Sequence, residues 1–237
     1  MAQQAHIHLA PLDTASHAAR EQRLLPQLAT AEQDRYRAFS ATPRRQSWLA
    51  GRELLLAALV HVQGGADPAL LLTAEHGGVQ YGDGHVRLNL SHSGGWLAAA
   101  ASPVPVGIDI ERLRPRAVAG QAARVFCPKE AERLARESDP LPLFYRLWTL
   151  KEAACKAAGL SIWDALRQVC FDLETGRCSL TSPFPPGPWY FIYGSFAPDW
   201  RLALALRGGN PEVTMWRLEG ADWARMAMSD PGVMAGD

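Results

Sequence analysis

"FYRLWTLKEAACKAAG", residues 144–159, is a helix by its composition and by its stop signal. Leu, Ala, Lys and Glu favour the helical backbone, and Gly159 follows the last apolar position as a C-cap. Leu143, Leu147, Leu150, Ala154 and Ala157 recur at helical spacing and form one apolar stripe. Glu152 and Lys156 fall off that stripe, four residues apart, as an exposed ion pair would. Trp148 lies one turn before Glu152 on the same side, where a large aromatic is badly placed against water alone. The helix therefore packs on more than one face, and Glu152 is expected at a junction.

A second stretch resembles the first. "RRQSWLAGRELLLAALV" at 44–60 is another Leu- and Ala-rich helix, with Trp48 standing where Trp148 stands one hundred residues later. "VRLNLSHSGGWLAAAAS" follows the first helix and "APDWRLALALRG" the second. Each places a tryptophan, Trp96 or Trp200, ahead of a short apolar run. Strands precede both helices, "HIHLA" at 6–10 and "VPVGIDI" at 104–110. A repeated order of strand, helix and returning hairpin points to an α+β fold of two pseudo-symmetric α/β halves, 1–103 and 104–237. In each, a small sheet packs on a long helix, and the junction that Glu152 occupies would be the seam. "YGDGH" at 81–85 is a hairpin turn, and "TSPFPPGPW" at 181–189 a loop inside the second half. The tail "MSDPGVMAGD" is expected to fray.

Bulk composition narrows the function. The chain has 237 residues, 48% hydrophobic and 20% charged, as ordinary globular domains do. Its 24 basic and 24 acidic residues cancel, which argues against nucleic acid as a partner. The N-terminal "MAQQAHIHLAPLDT" lacks the basic and apolar regions of a signal peptide, and no apolar run is long enough to span a bilayer. Cys127, Cys155, Cys170 and Cys178 show no zinc spacing and are expected to stay reduced, so the cytoplasm is the expected location. No P-loop, HExxH or GxSxG element is present, and the glycine-rich "HGGVQYGDG" at 76–84 lacks a strand–GxGxxG–helix context.

The chemistry-bearing residues are few. In "VGIDIERLRPR" at 106–116, alternation puts Gly107, Asp109 and Glu111 on one side of a strand, opposite Val106, Ile108 and Ile110. Two carboxylates on one strand face repel unless something cationic lies between them. With Glu152 they make a three-carboxylate, hard-oxygen set suited to Mg²⁺ and a phosphorylated ligand. His92 sits among Ser91 and Ser93 near a strand end. Arg44, Arg45 and Arg52, with Lys151 and Lys156, could receive an anion.

"NLSHS", "GIDIE" and "FYRLWTLKEAACKAAG", in that order, with "RVFCPKEAERL" between the last two, resemble the 4′-phosphopantetheinyl transferases of the surfactin-synthetase-activating type. The resemblance runs over most of residues 44–172. It implies a pseudo-symmetric monomer that moves the 4′-phosphopantetheine arm of coenzyme A to a serine of an apo acyl or peptidyl carrier protein, leaving 3′,5′-ADP. It also implies that Asp109, Glu111 and Glu152 hold Mg²⁺ on the coenzyme A pyrophosphate. Glu152 would accept the serine proton, directly or through a metal-bound water, and Lys156 would touch the phosphates or the attacking oxygen. Ser91, His92, Arg45, Arg52 and Lys151 would contact coenzyme A, with Arg45 and Arg52 near its 3′-phosphate. The first half would then hold the nucleotide and the second the metal and the catalytic groups. Two rivals use the same residues: a Mg²⁺-dependent phosphohydrolase, and a carrier-protein-binding module without turnover.

Overall fold

Two sheets, each with one long helix on it, make up the computed structural model, which describes residues 4–74 and 78–236. The first two residues of the glycine-rich 76–84 stretch and the first three of the N-terminal stretch lie outside the described residues. The strands are β1 (Gln4–Pro11), β2 (Leu71–Thr73), β3 (Val79–Tyr81), β4 (Arg87–Ser93), β5 (Trp96–Ser102), β6 (Val106–Arg112), β7 (Val169–Asp172), β8 (Arg177–Leu180), β9 (Trp189–Ser195), β10 (Trp200–Arg207), β11 (Glu212–Glu219), β12 (Asp222–Met226) and β13 (Ser229–Gly236). The helices are α1 (His17–Leu24), α2 (Thr30–Ala38), α3 (Thr42–Gln63), α4 (Val118–Val125), α5 (Pro128–Arg136), α6 (Pro140–Ala158) and the short α7 (Ile162–Ala165). Among the described residues, no helix is long and apolar enough to cross a membrane.

The first unit comprises Met1–Pro103 and Pro211–Met226. Its seven strands run β12-β11-β1-β5-β4-β3-β2, and α3 packs on β1 and β5. Gly64, with φ +79°, ends α3 in the left-handed conformation that glycine adopts without a side-chain clash. Leu54, Leu55, Ala58 and Leu59 of α3 pack with Leu97, Ala99 and Ala101 of β5 in this unit's core. The second unit comprises Val104–Asn210 and Ala227–Asp237. Its six strands run β6-β10-β9-β13-β8-β7, with α6 on β6 and β10. Asp139 caps α6, accepting the Leu141 N–H at 3.3 Å, and Gly159 closes it with φ +68°.

The repeated order expected from the sequence is present. In each unit one strand, β1 or β6, precedes the long helix, and the hairpin β4–β5 or β9–β10 follows it. Trp96 opens β5 and Trp200 opens β10.

Two expectations are corrected. Residues 104–237 do not form one continuous half, because β11 and β12 belong to the first sheet. β11 lies parallel beside β1, from Gln4↔Glu212 to Leu9↔Arg217, and supplies the hydrogen bonds that this side of β1 requires. The tail does not fray either. β13 pairs antiparallel with β9, and Met234 is 1% exposed in the core. An unpaired β9 edge and an exposed methionine are the alternative, and both are unfavourable.

Candidate active site

Gly107 explains why an acidic strand and a charged helix meet in the second unit. A Cβ at this position would fall well inside contact distance of the Ala153 carbonyl oxygen and 2.5 Å from the Ala157 nitrogen. Across β10, Gly107 faces Ala205 and Asp109 faces Ala203. Ala203 and Ala205 belong to the core cluster that holds Ala153, Ala154 and Ala157 of α6. Small residues on both strands let the helix backbone lie almost on the sheet. That approach brings the helix positions 152 and 156 level with Asp109. A glycine inside a strand signals such a close approach, and this was the available clue in the sequence.

Asp109, Glu111 and Glu152 each offer a carboxylate oxygen within 4.8 Å of the others. The Asp109 side chain is 3% exposed, that of Glu152 13%. Lys156 is the cation among them. Its Nζ donates to Asp109 Oδ1 at 2.7 Å and to the Ile108 carbonyl at 3.1 Å, and lies 3.5 Å from Glu152 Oε2. Burial and the neighbouring Asp109 charge push the Glu152 carboxyl up to about 7, with Glu111 adding to the rise and Lys156 opposing it. Burial alone would lower the Lys156 ammonium, but Asp109 and Glu152 more than offset it and hold the group charged. Excess negative charge in a half-buried cluster of hard oxygens fits a divalent cation such as Mg²⁺.

Lys151 does not join this cluster. It is 0% exposed, and its Nζ donates to the carbonyls of Leu166, at 2.8 Å, and Val169, and pairs with Glu130 Oε2 at 2.8 Å. The expected coenzyme A contact is corrected, because Lys151 is sealed from solvent and its ammonium is already engaged by Glu130 and two carbonyls. Lys151 and Lys156 are five positions apart on the helix, a rotation of roughly 140° at 3.6 residues per turn, so the two ammonium groups leave opposite sides of α6. Glu130 lies in the "RVFCPKEAERL" stretch that carries part of the resemblance, but the sequence assigns it no role. Its carboxylate also accepts the N–H groups of Cys127 at 3.0 Å and Phe171 at 2.8 Å. A buried charge pair leaves no period in a sequence.

Trp148 is half-buried in the second unit's own core. Its ring stacks on Phe144 at 6.0 Å, and the Arg116 guanidinium lies 5.9 Å from its centre.

In the first unit a cleft of about 320 Å³ is lined by Arg35, Arg44, Trp48, Arg52, Thr73 and His92, among others. His92 is exposed in β4 and reaches the cleft. Ser91, the adjacent strand residue, is 6% exposed and is not part of the lining. Arg52 forms the floor. It is 3% exposed, donates to Glu32 Oε2 at 2.8 and 3.1 Å and to Thr73 Oγ1 at 2.6 Å, and covers the Trp48 ring at 4.4 Å. Arg45 is corrected. It donates to the carbonyls of Phe39 at 2.7 Å and Arg37 at 3.2 Å and stays out of the cleft, whereas Arg44 lines it. Arg35 is an additional cation that the sequence did not mark.

The four cysteines are not all reduced: Cys127 and Cys170 are joined as a disulfide that includes neither Cys155 nor Cys178. The absence of a CxxC pair says nothing about residues that folding brings together.

Residues 105–205, which include Asp109, Glu111, Glu152 and Lys156, match the model of the 4′-phosphopantetheinyl transferase superfamily. Over 210 residues the chain is 31% identical to a 4′-phosphopantetheinyl transferase of Bacillus subtilis, covering 85% of this chain and 91% of that protein. It is 32% identical over 119 residues to 4′-phosphopantetheinyl transferase Sfp of Bacillus subtilis (strain 168), 49% of this chain and 53% of that one. It is 40% identical over 126 residues to 4′-phosphopantetheinyl transferase AcpT of Escherichia coli (strain K12), 52% of this chain and 62% of that one.

Proposed function

Because this chain belongs to the 4′-phosphopantetheinyl transferase superfamily, we propose that it moves the 4′-phosphopantetheine arm of coenzyme A onto a serine hydroxyl of an apo acyl or peptidyl carrier protein, releasing 3′,5′-ADP. The observation that carries this reading is the convergence of Asp109, Glu111 and Glu152 beside Lys156. Mg²⁺ held by these three carboxylates would supply Lewis-acid polarisation of the pyrophosphate and neutralise charge on the departing phosphate.

The chain's own groups do the rest. Glu152 accepts the serine proton, directly or through one water, as the serine oxygen bonds to the β-phosphorus and the bond to the nucleotide phosphate breaks. Lys156 offers its ammonium to the phosphate oxygens or to the attacking oxygen. A cation already held charged in the cluster needs little reorganisation to do so. In the first unit Arg44 and His92 take the coenzyme A phosphates, and Arg52 adds positive charge from the floor beneath them. The protein acts as a cytoplasmic monomer in this reading.

Incubation with coenzyme A, Mg²⁺ and a panel of apo carrier proteins, followed by intact mass, tests the proposal. One phosphopantetheinyl group added to a carrier serine is the expected result. Release of 3′,5′-ADP with no carrier modified would replace it with a phosphohydrolase. Carrier binding without release would replace it with a non-catalytic module.

A further inference from the structure

The second unit carries sulfur chemistry that phosphopantetheinyl transfer does not use. Cys127, immediately before α5, and Cys170, in β7, are bonded with their Cα atoms 5.8 Å apart, an ordinary span for a disulfide. Cys127 is 6% exposed, but Cys170 is half-buried and lines a cavity of about 820 Å³. Charges of both signs stand in that wall, Lys129 and Arg177 with Asp172 and Glu174. A small peptide thiol, which carries carboxylates and an ammonium group together, matches such a wall.

The bond lies at a junction that already has a non-covalent link. Glu130 accepts the Cys127 N–H on one carboxylate oxygen and, on the other, the N–H of Phe171, which follows Cys170. Disulfide and carboxylate therefore bridge the same two backbone segments. Glu130 also holds Lys151 of α6, the residue before Glu152. Cys127, Glu130 and Cys170 have ligand atoms within 4.8 Å of one another, yet both Glu130 oxygens are engaged, which disfavours a metal there. The remaining thiols are poor exchange partners. Cys155 is 0% exposed, and burial pushes its thiol up to about 12. Cys178 also borders the cavity but pairs across from Phe171, one residue out of step with Cys170.

We propose that Cys127 and Cys170 are a redox-responsive pair, opened and closed by a peptide thiol–disulfide couple of the glutathione class that enters through this cavity. In closing, two protein thiols pass two electrons and two protons to the small disulfide, giving the protein disulfide and two small thiols. In opening, a small thiolate attacks Cys170, the more exposed of the two residues. Cys127 leaves as thiolate and takes a proton, and a second small thiol resolves the mixed disulfide. Opening leaves Glu130 as the link at this junction, so the state of the sulfurs sets how firmly α5 and β7 are tied beneath α6.

The test equilibrates the purified full chain with reduced and oxidised glutathione at a series of ratios, without denaturant. After an acid quench, alkylation and peptide mass read each cysteine. The expected result is that Cys127 and Cys170 pass together from alkylated to disulfide-bonded as the oxidised fraction rises, while Cys155 and Cys178 do not form a disulfide. The oxidised form should melt higher by roughly 5–10 °C, the order expected when a long loop is closed, and Cys170→Ser should abolish that dependence. Cys127 and Cys170 alkylated at every ratio, or bonded at every ratio, would overturn the proposal. So would stoichiometric zinc protecting both from alkylation.

Discussion

Lys156 Nζ lies 2.7 Å from Asp109 Oδ1, joining α6 to β6 where the helix backbone rests against Gly107. One lysine thus balances part of a three-carboxylate cluster that is mostly out of water. The same contact ties the chemistry to the packing, since neither residue could reach the other if the helix stood off the strand. Substitutions at this contact and below it should separate chemistry from packing.

Asp109→Ala, Glu111→Ala and Glu152→Ala should each lower phosphopantetheinyl transfer at least ~100-fold, the loss expected when a main element of transition-state charge stabilisation is removed. All three variants should keep the wild-type circular dichroism spectrum. Carrier modification followed by mass under saturating Mg²⁺ checks this. Asp109→Ala turning over at the wild-type rate would rule out the metal assignment.

Gly107→Ala should damage both folding and activity, although it adds one methyl group. Backbone atoms of Ala153 and Ala157 block the Cβ, so relief requires moving α6. Overpacking of this kind costs roughly 1–3 kcal/mol or somewhat more when backbone must yield. Urea unfolding would measure the loss. Transfer should fall too, because Glu152 and Lys156 move with the helix. A variant with unchanged stability would show that the helix does not lie this close.

Arg44→Ala and Arg52→Ala should fail in different ways. Arg44 lines the cleft, and its loss should weaken coenzyme A binding about tenfold, a charge-assisted contact of roughly 1.4 kcal/mol, with little change in melting temperature. Arg52 is buried against Glu32. Its removal leaves the buried Glu32 carboxylate with Thr73 and the more distant Arg35, at 3.8 Å, a loss of up to about 3–5 kcal/mol, so Arg52→Ala should unfold at markedly lower urea. Calorimetric titration and urea curves on both variants distinguish the cases. Equal stability of the two would contradict the floor role of Arg52.

Acid should weaken the first unit through its histidines. His8 is 0% exposed, its Nε2 lies 2.9 Å from His61 Nδ1, and burial, with the His61 and His6 charges, pushes it from 6.5 to about 3. Burial likewise lowers His6, with His61 and Arg225 adding to it. Above about pH 6.5 an unfolded imidazole is neutral, as the folded one is, and the pair of states is balanced. Below that, the unfolded chain takes up a proton that folded His8 refuses until pH falls to about 3. Stability is therefore lost as pH falls through this window, by up to about 1.4 kcal/mol per pH unit for one ring. His8→Phe should flatten the dependence, measured as urea midpoints between about pH 7 and pH 5. Parallel curves for variant and wild type would count against the buried neutral imidazole.

Much of this was legible in the chain itself. Alternation alone put Asp109 and Glu111 on one strand face with Gly107. Helical spacing, the Gly159 stop and the misplaced Trp148 gave α6 more than one packed face, and the repeated tryptophan–strand order gave two similar units. These are local properties, set by the two-residue period of a strand and the 3.6-residue period of a helix. What the tertiary structure decided is which charges those faces meet. Lys151 and Lys156 are alike in sequence, yet one is sealed against Glu130 in the core and the other stands among the carboxylates. Cys127 found Cys170 across 43 residues, and β11 returned to lie beside β1. No period encodes such meetings, because each depends on where a distant segment packs, and the energy of a buried charge or an open strand edge depends on the partner it finds there.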